Sequence, residues 1–127
     1  MQYVTAENIT TIHDRIIEAT GGSFGIRENE LLQSIILKPQ AAFGGQDLYP
    51  SLYAKAAAVY EAHCDYRVFV GGNKCTAALT LYRFLNINDY DLTSTNKELE
   101  QYTLKVAMSQ PDLADVAAWI KHHSKKC

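Results

Sequence analysis

Cysteine, proline and any imbalance of charge are scarce in this chain. The cysteines are Cys64, Cys75 and Cys127. Their number is odd and their spacing matches no zinc-ligand pattern, which argues against a disulfide scaffold or a zinc module. Reduced thiols in a cytoplasmic compartment fit that usage. The formal net charge is only -2, which speaks against a nucleic-acid binder that relies on a broad basic face. No apolar run approaches the length of a membrane span. The opening MQYVTAENITTIHDR has no basic segment followed by an apolar stretch, the mark of a signal peptide. Repeats and low-complexity tracts are missing too. The tail Lys121-His122-His123-Ser124-Lys125-Lys126-Cys127 is locally basic and reads as a solvated, fraying helix end.

What is present fits one domain. A chain of 127 residues, 47% hydrophobic and 20% charged, can bury a single core. Thr5 is a suitable N-cap, with Glu7 in the first turn. Ile9, Ile12, Ile16 and Ile17 then recur at helical spacing until Gly21-Gly22 ends the helix. His13 and Asp14 fall in its middle, and His13 reads as a partly buried, hydrogen-bonded histidine. A second helix is expected from about Glu28 to Leu37, stopped by Pro39. Residues 40–50 hold Gly44-Gly45 and Pro50 around Phe43, Leu48 and Tyr49, the composition of a flap or short hairpin.

Ser51 can cap a third helix, about Leu52 to His63, whose alanines suit close packing on several sides. A fourth is expected from about Asn73 to Leu85, with Ala77, Ala78, Leu81, Phe84 and Leu85 inward. Thr95 to Glu98 has capping-box spacing and opens a fifth, carrying Leu99, Tyr102, Leu104, Val106 and Ala107. Pro111 fits the first position of a sixth. No strand pair is evident outside the flap. The expectation is an all-α, six-helix bundle over residues 1–127 with one flap.

The stretch Tyr66 to Ala77 carries the chemistry. Gly71-Gly72 precede Asn73-Lys74 at a helix start. Backbone N–H groups in such a loop can hold an anion. Lys74 in the first turn opposes the helix dipole, so an anion would account for it.

Those residues resemble the Fic/Doc (Fido) family, in its death-on-curing branch. The resemblance runs from His13-Asp14 and Gly21-Gly22 through Leu31-Leu32-Gln33-Ser34, Pro39-Gln40-Ala41, Phe43-Gly44-Gly45 and Leu48-Tyr49-Pro50. It continues through Lys55-Ala56-Ala57-Ala58 to Thr76-Ala77-Ala78-Leu79 and Phe84-Leu85-Asn86. The family signature is His-x-Phe-x-Asp/Glu-Gly-Asn-Lys-Arg. Phe69, Gly72, Asn73 and Lys74 match it and are the candidates for nucleotide or phosphate binding.

Three positions depart. Arg67 stands at the family's histidine, Gly71 at its acidic residue and Cys75 at its arginine. Arg67 stays protonated and cannot act as the general base, a role worth about 10²–10⁴ in rate. Gly71 offers no side-chain oxygen to a metal, so no metal ligand remains there. Cys75 replaces a forked phosphate donor with a weak S–H donor.

The resemblance therefore implies a catalytically degraded Doc-like protein that works through protein binding or regulation, of toxin–antitoxin or prophage origin. No catalytic residue is intact. ATP with magnesium is the cofactor that a retained cradle would take. The alternative is an active toxin that moves phosphate or AMP from ATP to a hydroxyl of a translation factor such as elongation factor Tu. That would require a replacement base: His63 is the nearest histidine, and Asp65 is the nearest carboxylate but precedes the loop on the wrong side for the family geometry, while Cys75 at a helix N-terminus is a candidate nucleophile instead. His63 reads more simply as a helix-end histidine near the C-terminal dipole.

The family's self-inhibitory helix carries Ser/Thr-x-x-x-Glu-Gly/Asn. Here Phe24 stands at the hydroxyl position before Glu28-Asn29, so no such helix is evident. The resemblance implies instead a separate partner, an antitoxin-like helix or a regulator, in an apolar groove beside the first helix and the flap. Neither nucleic acid nor a membrane is expected as a partner.

Overall fold

The computed structural model describes residues 1–22, 25–26, 29–66, 68–69 and 72–127. Expectations for Phe24, Glu28, Arg67 and Gly71 fall outside the described residues.

Among the described residues, six helices form where apolar side chains recur at helical spacing. Helix α1 spans Ala6–Thr20, α2 Asn29–Leu37, α3 Leu52–Tyr66, α4 Asn73–Ile87, α5 Asn96–Ser109 and α6 Leu113–His122. A 3₁₀ turn at Lys38–Gln40 follows α2, and Pro39 sits inside it. Both capping boxes are made. Thr5 Oγ1 accepts from the Asn8 amide, and Thr95 Oγ1 accepts from the Glu98 amide. The Asn8 and Glu98 side chains accept the cap amides in return. Ser51 accepts the Ala54 amide at the start of α3.

Helix α3 is the axis of the bundle. Ala56, Ala57, Ala58, Val59, Tyr60 and Ala62 are buried on nearly all its sides. Its small side chains let α4 and α6 pack closely against it. The core joins these alanines to Ile9, Leu32, Ile35, Leu81, Phe84, Leu85, Val106, Val116 and Ile120. Tyr60 shares a hydrogen bond with Thr103 of α5, and burial pushes its phenol well above the usual range.

The flap is a hairpin. Strands β1 (Ala42–Phe43) and β2 (Gln46–Asp47) pair antiparallel across Gly44-Gly45, both at positive φ. Phe43 is 82% exposed. The buried Lys55 ties the hairpin down. Its ammonium donates to the Pro39 carbonyl at 2.9 Å and to the Asp47 carboxylate at 3.3 Å.

Three expectations are corrected. A second strand pair exists, in which β3 (Tyr90–Leu92) runs antiparallel to β4 (Ser124–Lys126). Three-residue strands are too short to show alternation, and their pairing joins segments distant in sequence. The basic tail is therefore paired rather than frayed, with the Cys127 amide donating to the Asp89 carbonyl at 2.9 Å. Finally, α6 starts at Leu113 with Asp112 as its N-cap, so Pro111 lies just before the helix. Helices α3 and α4 also run a few residues past their expected ends. No helix among the described residues is long and apolar enough to cross a membrane.

Candidate functional site

Phe69 is the anchor of the loop that precedes α4. It is buried, and its backbone bridges to Ile26. Asn73 clamps it from both sides. The Phe69 amide donates to Asn73 Oδ1, and Asn73 Nδ2 donates to the Phe69 carbonyl, each at 2.9 Å. The Asn73 side chain is thus turned back into the loop and caps nothing on its own helix.

Gly72 is the N-cap of α4, with φ 73° and no side-chain capping bond. That left-handed backbone favours glycine. The Gly72 carbonyl accepts from the Thr76 amide at 3.0 Å and from Thr76 Oγ1 at 2.7 Å. The N–H groups of Asn73, Lys74 and Cys75 belong to the first turn, where a helix has no internal acceptors. Lys74 and Cys75 are exposed beside them.

The floor of the loop is aromatic. His13 of α1 is fully buried, more deeply than its spacing suggested, and stacks on Phe69 with centroids 3.8 Å apart and planes 8° apart. His63 of α3 faces Phe69 at 6.3 Å. It too is fully buried, and neither ring nitrogen has a hydrogen-bond partner among the described residues. Burial pushes its imidazole down to about 4. The ring is therefore neutral at ordinary pH, which corrects the expectation of a histidine held by the α3 dipole. A charge was the premise of that reading, and desolvation removes it. Asp65 is exposed; desolvation raises its carboxyl, with Lys38 and Gln110 opposing.

Next to the loop lies an open groove of about 650 Å³. Ile12, Ile16 and Ala19 of α1 face Ala78 and Leu79 of α4 and Leu99 and Leu104 of α5 across it. Lys74 and Cys75 border it, as do Arg15 and Glu100. The expected apolar groove thus exists beside α1, but α4 and α5 complete it, and no flap residue lines it. Leu104, one of the apolar residues expected on the fifth helix, is 41% exposed and belongs to this wall. Thr103 and Glu100 are site residues that spacing did not single out, since polar side chains on α5 carry no signal of a cavity. Cys64 lies in the core, where burial pushes its thiol up to about 12. No cluster of three or more His, Cys, Asp or Glu that could hold a metal occurs among the described residues.

Of the candidate residues, then, Phe69 and Asn73 build the loop. Gly72, Lys74 and Cys75 lie where an anion at the α4 N-terminus would sit. The helix start and groove together form one surface that can take an anionic group and an apolar face side by side.

Comparison with known proteins concerns the chain as a whole. The Fic/DOC family model matches residues 3–85. A relative named Toxin Doc, from Mycolicibacterium smegmatis (strain ATCC 700084 / mc(2)155), is 33% identical over 119 residues. That match covers 92% of this chain and 89% of the relative.

Proposed function

The chain belongs to the Fic/DOC family, and from that premise we propose that it acts by binding a protein partner and does not transfer phosphate or AMP. The observation that carries this reading is the open apolar groove that runs up to Lys74 and Cys75. The groove and the loop frame are kept, while the residues at the family's base, metal and arginine positions are Arg67, Gly71 and Cys75. An amphipathic helix is the chemistry that suits such a groove. Ile12, Ile16, Ala78, Leu79 and Leu104 would take its apolar side, and Arg15 and Lys74 would favour acidic residues at its edge. An antitoxin-like segment or a regulator in the cytoplasm, from a toxin–antitoxin or prophage setting, has that character.

The helix start supports retained binding of phosphate or of ATP with magnesium. Gly72 and the first-turn amides would hold the phosphate, and Lys74 would add charge. Magnesium, where bound, neutralises phosphate charge.

The name of the relative, a toxin, favours a second reading, an active toxin; the family resemblance would make its substrate a hydroxyl of a translation factor such as elongation factor Tu. For that, a general base is needed in place of the family histidine. His63 sits enclosed in the core against Phe69, a poor position for reaching a target hydroxyl.

One experiment separates the two. The parent protein and the triple revertant Arg67→His, Gly71→Asp, Cys75→Arg are incubated with labelled ATP, magnesium and a translation-factor preparation. Label transfer by the revertant alone supports the binding role, and transfer by the parent overturns it.

A further inference from the structure

The imidazole of His13 has no role in the reading above, yet it lies against two residues of the loop, Phe69 and Gly72. Its ring lies face to face on Phe69 at 3.8 Å. Its Cδ2–Nε2 edge lies against Gly72, so that a Cβ built there would stand 3.5 Å from both atoms. Ile17, one turn further along α1, reaches the same point with its Cδ1 at 3.5 Å. His13 is fully buried, and Asp14 approaches its Nδ1 at 3.7 Å.

These contacts meet a point of the loop that has no side chain to hold it. Gly72 has no side chain and sits at a left-handed φ of 73°. It forms the cap of α4 without a side-chain bond. Its position fixes where the N–H groups of Asn73, Lys74 and Cys75 point. The adjacent face of α1, with Ile12, Arg15, Ile16 and Ala19, forms a wall of the groove. One helix therefore supports the loop and bounds the groove.

We propose that His13 is a positioning residue: from α1 it seats the Phe69 ring and the Gly72 backbone, and so sets the direction of the amides that open α4. Its functional meaning rests on the anion-cradle reading, but the positioning itself can be read without any ligand. The flat ring supplies the stack on Phe69, and its edge limits how far Gly72 can move inward. A smaller side chain would leave a void under both.

The test uses amide hydrogen exchange and imidazole spectra of the full chain. His13→Ala should speed exchange of the hydrogen-bonded Phe69 and Thr76 amides by roughly tenfold or more, while amides of α6 change by less than about twofold. His13→Phe, which keeps a flat ring, should return the loop most of the way to parent rates. Equal acceleration in the loop and in α6 would mean general destabilisation and would overturn the proposal. An unchanged loop would do the same.

Should His13→Ala fail to fold, Gly72→Ala gives the answer from the other side. It should shift the His13 ring resonances, whereas Gly45→Ala in the flap should not. Unmoved His13 resonances would sink the idea. Calorimetric titration of the parent with inorganic phosphate and with magnesium-ATP tests the cradle separately. Absence of heat there would count against the cradle and leave the exchange result standing.

Discussion

The two ends of helix α4 are finished in opposite ways. Its C-terminus is sealed. The Asn88 side chain donates to the Phe84 and Gln2 carbonyls, each at 2.9 Å, and accepts the Gln2 amide at 2.8 Å. The β3–β4 pair then closes over that end, and Tyr102, Trp119 and His123 stack beside it at 4.2 and 4.1 Å. The N-terminus has no side-chain cap among the described residues. The Asn73 side chain is spent on Phe69, and Lys74 and Cys75 of the first turn border the open groove. In a chain of this size, helix ends are normally satisfied by caps or by pairing. An end left unfinished beside a cavity is where a ligand or partner can supply the missing acceptors.

That contrast can be broken by mutation. The largest effect is expected at the part-buried clamp. Asn73→Ala strands the Phe69 amide and carbonyl, and should cost roughly 2–4 kcal/mol, at about 1–2 kcal/mol for each of the two part-buried groups left unpaired. Asn88→Ala removes bonds of which the two to Gln2 are exposed, and should cost about 1–2 kcal/mol. Urea unfolding of both variants checks the order. A larger loss for Asn88→Ala would reverse the comparison.

Acid should also tell the ends apart. His63 lies under the open end, and burial holds its folded value at about 4, below the ordinary histidine value of 6.5. The unfolded chain therefore binds a proton that the folded chain does not. Stability is full above pH 6.5 and falls as pH drops toward 4, by about 3 kcal/mol in all for one such group. His63→Phe should flatten that limb of a thermal-midpoint profile. A profile equally steep in the variant would remove His63 from the account.

At the sealed end, Glu98 is held below the usual carboxylate range by the Thr95 amide and hydroxyl, with His123 adding to it. A depressed carboxyl contributes stability above its unfolded value and loses it as pH falls through the folded one. Its effect should therefore begin only at more acidic pH than that of His63, and Glu98→Gln should weaken it.

The smallest effect concerns the bare amides. Phosphate at a concentration near its dissociation constant should raise the thermal midpoint of the parent slightly, since stabilisation at that point is only about 0.4 kcal/mol. Lys74→Ala should show less of a rise. An equal rise in both would mean that Lys74 does not face the anion.

Much of this molecule could be read before its structure. Caps at Thr5, Ser51 and Thr95 announced three helix starts, because local hydrogen bonds depend on residues three apart. The flap followed from Gly44-Gly45, and the loop from Gly72-Asn73-Lys74. The Fic/DOC resemblance rested on residue types in order, which a sequence holds completely. What the sequence alone determined is therefore the local grammar of the helices, the family, and the residues that stand at Arg67, Gly71 and Cys75.

The tertiary structure decided the rest, for reasons of distance and burial. Whether Asn73 faces a ligand or Phe69 depends on where the loop backbone passes. Whether His63 is a cation or a neutral core ring depends on how completely α3 is covered. The pairing of Ser124–Lys126 with Tyr90–Leu92 joins segments more than thirty residues apart, and the groove exists only because α1, α4 and α5 converge without filling the space between them. Side-chain type is local, but desolvation and cavity shape belong to the whole packed chain.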